Sequence, residues 1–543
     1  MSEKRTVLKA AGVVGGITLL SRFTGLIRDV LITALFGARG IADTFFVAFE
    51  IPNLLRRVLG EGALSSFLVP LFSQRRQEEG DAGGWRFFNL TLNFMLVVSL
   101  ALTVLGILFS REVYLVAGGL GQLLRGGDAG QTGRMVDLGG RFTAIMFPFL
   151  IGLSMASLMM GACHALRRFV APSLGSVMLN IALIAAGGAA LALNLEQAPA
   201  AIWLCWAVLV GSLVRVLIML PTLHAHGWRW RPVLNLRDPE LYRLLRMLAT
   251  GTLSMSISQI NIVVAGFFAL YLGEGIKTYL MTANRLVQLP MALTATAVAT
   301  AMLPQLTQYL LEGRHRELGD LMGFTKRLEI VLMLPAIAGL IVFGQPIMEL
   351  LFERRLWSAA DTRAATLALL CYAPSLLPLG GARLLTSLFY ARKDVVTPLK
   401  AGALSMLVNV ILNAVFALSL PLAQAGLALA FTVGTYVNYA LLAWYARRDF
   451  GEAMTEQKQV GATLARSTAA ALLACGAGAL AYYPLRRWLP IPLDSALTRG
   501  ALLLPVIALV AGLYFVLAHA LRVPDADRAK SILTRRLKLN RKP

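Results

Sequence analysis

Cysteine is scarce in this chain. Its four residues, Cys163, Cys205, Cys371 and Cys475, lie far apart, without the spacing of a zinc site or a disulfide framework. The five histidines show no paired spacing with carboxylates, so an enzyme would find neither a metal site nor an acid–base pair here. No catalytic residue, metal or cofactor is expected. Charge is also thin: Asp, Glu, Lys and Arg make up 15% of the residues, and 51 Lys and Arg outnumber 29 acids. The N-terminus is basic and then apolar but lacks a small-residue cleavage site. Its apolar stretch continues through Arg22, so it reads as a retained helix and not a signal peptide.

Apolar sequence, by contrast, comes in long runs. Of 543 residues 57% are hydrophobic, and the mean hydropathy is +0.68, which exceeds the usual apolar share of a soluble chain. Stretches of roughly 20 apolar residues can cross a bilayer as helices, and about fourteen are present. Their approximate limits are 7–36, 43–74, 87–109, 138–162, 170–193, 200–222, 247–271, 278–311, 328–352, 364–390, 398–420, 424–446, 467–484 and 500–521. The chain therefore reads as an all-α polytopic membrane protein. An even number of spans puts both termini on one side. With that side inside, the inner loops and tails carry about 32 Lys and Arg against about 12 outside, as the positive-inside rule requires. The net charge of +22 then belongs to inner loops, and no nucleic-acid partner is expected. The segment "WRWRPVLNLRDPELYRLLRM" (228–247) reads as an interfacial helix on the inner headgroups. The tail "RAKSILTRRLKLNRKP" (528–543) reads as solvated or touching anionic lipid.

The sequence weakly repeats itself. "ALFGARGIADTFFVAFEIPNLL" (34–55) is echoed by "LYLGEGIKTYLMTANRLVQLP" (270–290), and "FLVPLFSQ" (67–74) by "AMLPQLTQ" (301–308). "HALRRFVAPSLG" (164–175) is matched by "YARKDVVTPLKA" (390–401), each leaving a span through a short basic loop and re-entering with an early proline. Six spans separate the copies, so they share one orientation. Parallel repeats of this kind build transporters with the substrate site between the halves. Two six-helix lobes, 1–222 and 223–450, are expected, followed by a helix pair and basic tail in 451–543.

Several charges sit where lipid tails should be. A charged side chain at mid-bilayer costs at least about 2.5 kcal/mol, so such residues face protein or a wet cavity. "SRFTGLIRDV" (21–30) holds Ser21, Arg22, Arg28 and Asp29; the next span opens with Asp43. In "FEIPNLLRRVLGEGA", Glu50, Asn53, Arg57 and Glu61 fall on one helical stripe, and Arg57 stands one turn from Glu61. Arg56 is turned about 100° away with no acid at i±3 or i±4. Arg285 enters from the outer side in "TANRLVQLP". Arg22, Arg28, Arg56 and Arg285 are therefore the candidate anion ligands. Asp29, Asp43, Ser21, Glu50, Asn53, Arg57 and Glu61 are candidates for supporting or gating roles. Arg215 and Arg383 lie nearer inner span ends, where snorkelling accounts for them. Asn180, Asn409, Asn413 and Gln259 read as polar glue between helices. Arginine's rigid fork matches phosphate bidentately, so several arginines point to a substrate with at least two negative charges, such as a pyrophosphate. Cationic drugs would be repelled.

"SRFTGLIRD", "ADTFFVAFEIPNLLRRVLGEGALSSFLVPLF" and "NRLVQLP…LP" together resemble the MurJ/MviN family of lipid II flippases, in the superfamily that also holds MATE exporters and polysaccharide flippases. The likeness extends over the whole chain, including the terminal pair. It implies a bacterial inner-membrane carrier, with both termini cytoplasmic, that moves lipid II from the inner to the outer leaflet by alternating access for peptidoglycan synthesis. It further implies function at the positions of Arg22, Arg28, Arg56, Arg285, Asp29 and Asp43, and a groove for the lipid tail along the last two helices. Bilayer lipids and peptidoglycan synthases are the expected partners, and a monomer the expected state. The alternative is a MATE-like exporter or a flippase for another polyprenyl-linked glycan. Where this chain departs from relatives, it has Glu50 in place of a basic residue and Asn284 in place of an aspartate. The region that would hold a sodium site reads "QINIVVAGF" and "NVILNA", with no carboxylate. Sodium coupling is thus disfavoured and membrane potential is the alternative drive, at about 2.3 kcal/mol per charge per 100 mV.

Overall fold

The computed structural model describes residues 2–59, 63–126, 129–235, 237–293, 305–420, 422–451, 458–488 and 495–526, with backbone alone at 2–14, 56–59, 63–67, 129, 247–258, 292–293 and 458. Among the described residues there is no β-strand. The principal helices are α1 (Ser2–Phe36), α2 (Gly40–Leu59), α3 (Ala63–Glu78), α4 (Gly80–Leu108), α5 (Ala129–Met146), α6 (Phe149–Ala165), α7 (Val170–Ala192), α8 (Gln197–Leu217), α9 (Pro239–Leu272) and α10 (Ile276–Leu293). They continue with α11 (His315–Phe352), α12 (Ala359–Tyr372), α13 (Leu376–Ala391), α14 (Val396–Leu418), α15 (Ala423–Phe450), α16 (Lys458–Trp488) and α17 (Ala496–Ala520). Among the described residues ten helical segments are long and apolar enough to cross a membrane. They coincide with the third to sixth and ninth to fourteenth expected spans. The other four expected spans overlie α1, α2–α3, α9 and α10. Three of those sites, α1, α2 and α10, carry the in-span charges, which lower their apolarity.

The chain packs into two compact units, Met1–Thr278 with Arg354–Trp357, and Tyr279–Glu353 with Ser358–Pro543. In the first, α1 lies along α7, α2 along α5, and α3 along α6. One of its cores gathers Phe72, Trp85, Phe88, Met159 and Trp228. Before α5 the chain folds back through residues 110–124 and presses against α9. The approach is close enough that a Cβ on Gly121 would stand 2.2 Å from the Phe267 carbonyl oxygen, so only glycine fits.

The expected interfacial helix over 228–247 begins only at Pro239; residues 228–235 are not helical. They run as an irregular strap along α4. Asn93 Nδ2 donates to the carbonyls of Arg231 (2.7 Å) and Val233 (2.9 Å), while its Oδ1 accepts the Trp230 indole N–H at 3.0 Å. One turn earlier Asn89 donates to the Arg229 carbonyl at 2.9 Å and accepts from Trp228 at 3.0 Å. Trp85 donates to the His226 carbonyl at 3.1 Å. Side chains at i, i+4 and i+8 of α4 thus take up the carbonyls of His226, Arg229, Arg231 and Val233, and Pro232 adds a further bar to helix.

In the second unit, α11 packs on α12, α13, α16 and α17, and α14 on α15. Prolines break two spans midway, Pro148 between α5 and α6 and Pro374 between α12 and α13. These are the fourth and tenth expected spans, six apart, as the repeat requires. On α14, Leu404, Leu407, Ile411, Val415 and Leu418 form an exposed apolar stripe, while Asn409 and Asn413 on the opposite side are buried. That pattern suits a helix with one face in lipid. The terminal pair is stapled to α11 at two places. Arg486 binds Glu349 bidentately at 2.9 and 2.8 Å, joined by Arg499 with Glu349 and Glu353. At the other end Arg327 meets Asp525 at 2.8 Å.

Candidate substrate-binding site

Arg28 is the best-defined of the candidate ligands. It is buried on α1, as is Asp29 beside it. Its Nε and Nη2 donate to Asp29 Oδ1 at 2.9 and 2.7 Å, and its Nη1 donates to Asn180 Oδ1 of α7 at 3.0 Å. Asn180 Nδ2 reaches back to the Ser21 carbonyl (3.0 Å) and Thr24 Oγ1 (3.1 Å). The guanidinium carbon lies 6.0 Å from the Phe49 ring centroid of α2. Arg28 is thus a paired cation on a spanning helix. The sequence reading missed the pairing because neighbours at i, i+1 do not share a helix face; here the long arginine folds back over the short aspartate. Asn180 is interhelical glue, as expected, and it also orients Arg28. Arg22 lies six residues earlier on α1, half-buried.

Asp43 is fully buried and serves the start of α10. It accepts from Gly275 N–H (2.6 Å), Thr278 N–H (2.9 Å) and Thr278 Oγ1 (2.6 Å). A carboxylate on the orphan N–H groups of a helix start is doubly favoured, by hydrogen bonds and by the helix dipole. Gly275 has φ +81°, the left-handed region that favours glycine. Aligning "GIAD" (40–43) with "GIKT" (275–278) places Asp43 opposite Thr278, so these repeat-related positions touch one another.

Glu50 pairs with Lys277, Nζ to Oε2 at 2.7 Å. Lys277, nearly buried, was not among the sequence candidates; a lysine at a span start reads as ordinary snorkelling. With Asp43 and Glu50 seven residues apart on one face, α2 is tied to the head of α10 twice. Asn53 Nδ2 donates to the Phe49 carbonyl of its own helix at 2.8 Å. The side chains of Arg56 and Arg57, and all of Glu61, lie outside the described residues. Arg285 is half-buried on α10, in the second unit.

Two further expectations change. Arg215 does not snorkel: it is 6% exposed, its Nε has no hydrogen-bond partner among the described residues, and its Cγ occupies the space a Cβ on Gly175 would need. Asn413 bonds Asn409 along α14 at 2.9 Å and makes no bond to a neighbouring helix among the described residues. Among the described residues no group of His, Cys, Asp and Glu is arranged to hold a metal ion.

A family model described as lipid II flippase MurJ matches residues 32–491. The chain belongs to the MurJ family. A probable lipid II flippase MurJ of Rhizobium meliloti (strain 1021) is 32% identical over 528 residues, covering 95% of this chain and 94% of the relative. Its counterpart in Vibrio cholerae serotype O1 is 32% identical over 443 residues, covering 81% and 83%. A solved MurJ structure in an inward closed conformation superposes with TM-score 0.72 at 22% identity, covering 93% of this chain and 97% of that one. An inward-facing multidrug MATE transporter gives TM-score 0.65 at 14% identity, covering 82% and 99%. Both likenesses establish the fold. With ten apolar helices among the described residues, this MurJ-family chain is a multi-pass membrane protein of the bacterial inner membrane, and it is a transporter rather than an enzyme.

Proposed function

We propose that the chain flips lipid II, the polyprenyl-pyrophosphate-linked peptidoglycan precursor, from the cytoplasmic to the periplasmic leaflet by alternating access. The observation that carries this reading is the MurJ family match over residues 32–491, with the flippase names of relatives that align along nearly the whole chain. In this reading the lobes 1–222 and 223–450 rock about a central arginine-lined cavity, and the helix pair in 451–543 flanks the lipid tail. Arg22, Arg28, Arg56 and Arg285 hold the pyrophosphate. The protein acts as a monomer with both termini cytoplasmic, and peptidoglycan synthases receive its product.

The Arg28 geometry suggests how binding could switch. Asp29 occupies two of the guanidinium's donors. A pyrophosphate oxygen offers the same bidentate acceptor with more charge, so the anion competes with Asp29 for one fork. Binding then changes the Arg28–Asp29 contact, and a ligand drives a conformational change only by bonding the two states differently. Asn180 keeps Nη1 fixed while the other edge exchanges partners.

The test is leaflet accessibility of labelled lipid II in cells depleted of their own flippase and supplied with this chain. Arg22→Ala, Arg28→Ala and Arg56→Ala should insert in the membrane yet leave lipid II on the inner leaflet, and lysine replacements should rescue poorly. Normal flipping with all three would overturn the site. Drug efflux without flipping in the unaltered protein would overturn the function.

A further inference from the structure

A second buried charge lies apart from this site. Glu329 sits on α11 within a membrane-spanning segment and is 6% exposed. No hydrogen-bond donor reaches its Oε1 among the described residues. Its surroundings are cationic: the fields of Lys326, one turn back on α11, and of Arg383 on α13 act on it. Tyr439 on α15 feels the Glu329 charge, and Arg447 on α15 acts on both Lys326 and Tyr439. Arg327, next along α11, is already paired with Asp525. From α12, α16 and α17, which also pack on α11, no charged group among the described residues acts on it.

A structural brace would look different. Glu349, lower in exposure than its partners and on the same helix, shows the alternative: both its oxygens accept from one guanidinium at 2.8 and 2.9 Å. Glu329 has two cations near it and closes a hydrogen bond with neither. Burial opposes its charge, and the cations favour it. Neither term is fixed by a bond, so the balance depends on how near Arg383 and Lys326 stand. Arg383 is largely exposed on α13 and its long side chain can change partners. An ionisable residue inside a spanning helix is by default a candidate for a functional step.

We propose that Glu329 is a proton-binding site coupled to the transport cycle. In one state of the transporter its carboxylate is ionised and faces Arg383 and Lys326; in another the cations withdraw and the carboxylate takes up one proton from water, becoming neutral. No bond other than O–H forms or breaks. The proton can bias the cycle because its affinity for Glu329 differs between the two states. The transport half of the proposal rests on the flippase reading above; the protonation half does not.

The test uses the full chain in lipid vesicles with two readouts. Infrared difference spectra between acid and alkaline buffer, without substrate, should show the carbonyl band of a protonated buried carboxyl that is lost in Glu329→Gln. Translocation of labelled lipid II should vary with pH in the unaltered protein and become pH-independent in Glu329→Gln. Glu329→Asp, which keeps the acid, should retain the band at a shifted midpoint, and it serves if the Gln variant does not fold. Identical spectra for the unaltered protein and Glu329→Gln would overturn the site. An unchanged pH profile of transport in Glu329→Gln would overturn the coupling. Failure of the unaltered protein to move lipid II at any pH, with the band still titrating, would count against the flippase reading and against coupling, but not against protonation.

Discussion

Arg28 and Asp29 allow loss of fold to be separated from loss of function. Replacing Arg28 by alanine removes an ion pair and two charge-assisted hydrogen bonds from a carboxylate that is 0% exposed, which should destabilise the protein by up to about 3–5 kcal/mol, the range for removing one partner of a buried pair. Asp29→Asn strands the arginine instead. The Asn180 bond and the Phe49 ring remain to it, so the loss should fall at or below the lower end of that range. Removing both charges together takes away the arginine and its carboxylate at once. The double variant should therefore be more stable than the two single effects predict by about 1–3 kcal/mol, the coupling usual for residues in one network. Unfolding of the detergent-solubilised protein, followed by intrinsic fluorescence across a denaturant series, measures all three. Growth of flippase-depleted cells gives the other axis, and there the double variant should fail as completely as Arg28→Ala. If the effects add to within about 0.5 kcal/mol, the pair is not the energetic unit described. If the double variant supports growth, Arg28 does not hold substrate.

The Glu50–Lys277 contact predicts that Glu50→Lys or Lys277→Glu alone lowers stability and transport, while the exchanged pair recovers most of both, as melting temperature and complementation would report; no recovery would mean each residue acts apart from the other. Asn93→Ala removes three hydrogen bonds from the strap, so trypsin should cut after Arg229 several-fold faster than in the unaltered protein, and equal rates would refute the clasp. Asp394, between α13 and α14, accepts from the N–H groups of Val396 and Thr397. Partial burial works against its ionisation, but hydrogen bonds from Thr397 and Val396 outweigh it and hold the carboxyl below its usual range. Because the folded value is depressed, its stabilising effect is present above about pH 4, the unfolded value, and is lost as pH falls further. The melting-temperature difference between unaltered protein and Asp394→Asn should shrink in strong acid and be constant near neutrality.

Hydrophobic run length marked the helices well, because a bilayer demands a fixed length of apolar chain whatever the sequence packs against. Each of the fourteen stretches overlies helix among the described residues. The strap over 228–235 was not legible: its Trp and Arg spacing suits an amphipathic helix, and the competing partners, Asn89 and Asn93, lie some 140 residues earlier. For the site, the importance of charges on α1, α2 and α10 could be read from their cost in lipid. Their pairings could not. Asn180 to Arg28 and Lys277 to Glu50 are tertiary contacts, and the helical i±4 rule that found Arg57 beside Glu61 has nothing to say about them. The same rule passed over Asp29 because adjacent residues diverge on an ideal helix.

The salt-bridge staple at Glu349 bears on how a shorter relative could exist. Deleting everything after residue 450 would not merely shorten the molecule. It would remove Arg486 and Arg499 from Glu349 and Glu353, uncover Phe343 where Gly478 of α16 now permits close contact, and leave two carboxylates at the end of α11 without those arginines. A descendant without that helix pair would have to neutralise position 349 before, or at the moment of, losing it, so the order in which such changes can accumulate is constrained by two carboxylates.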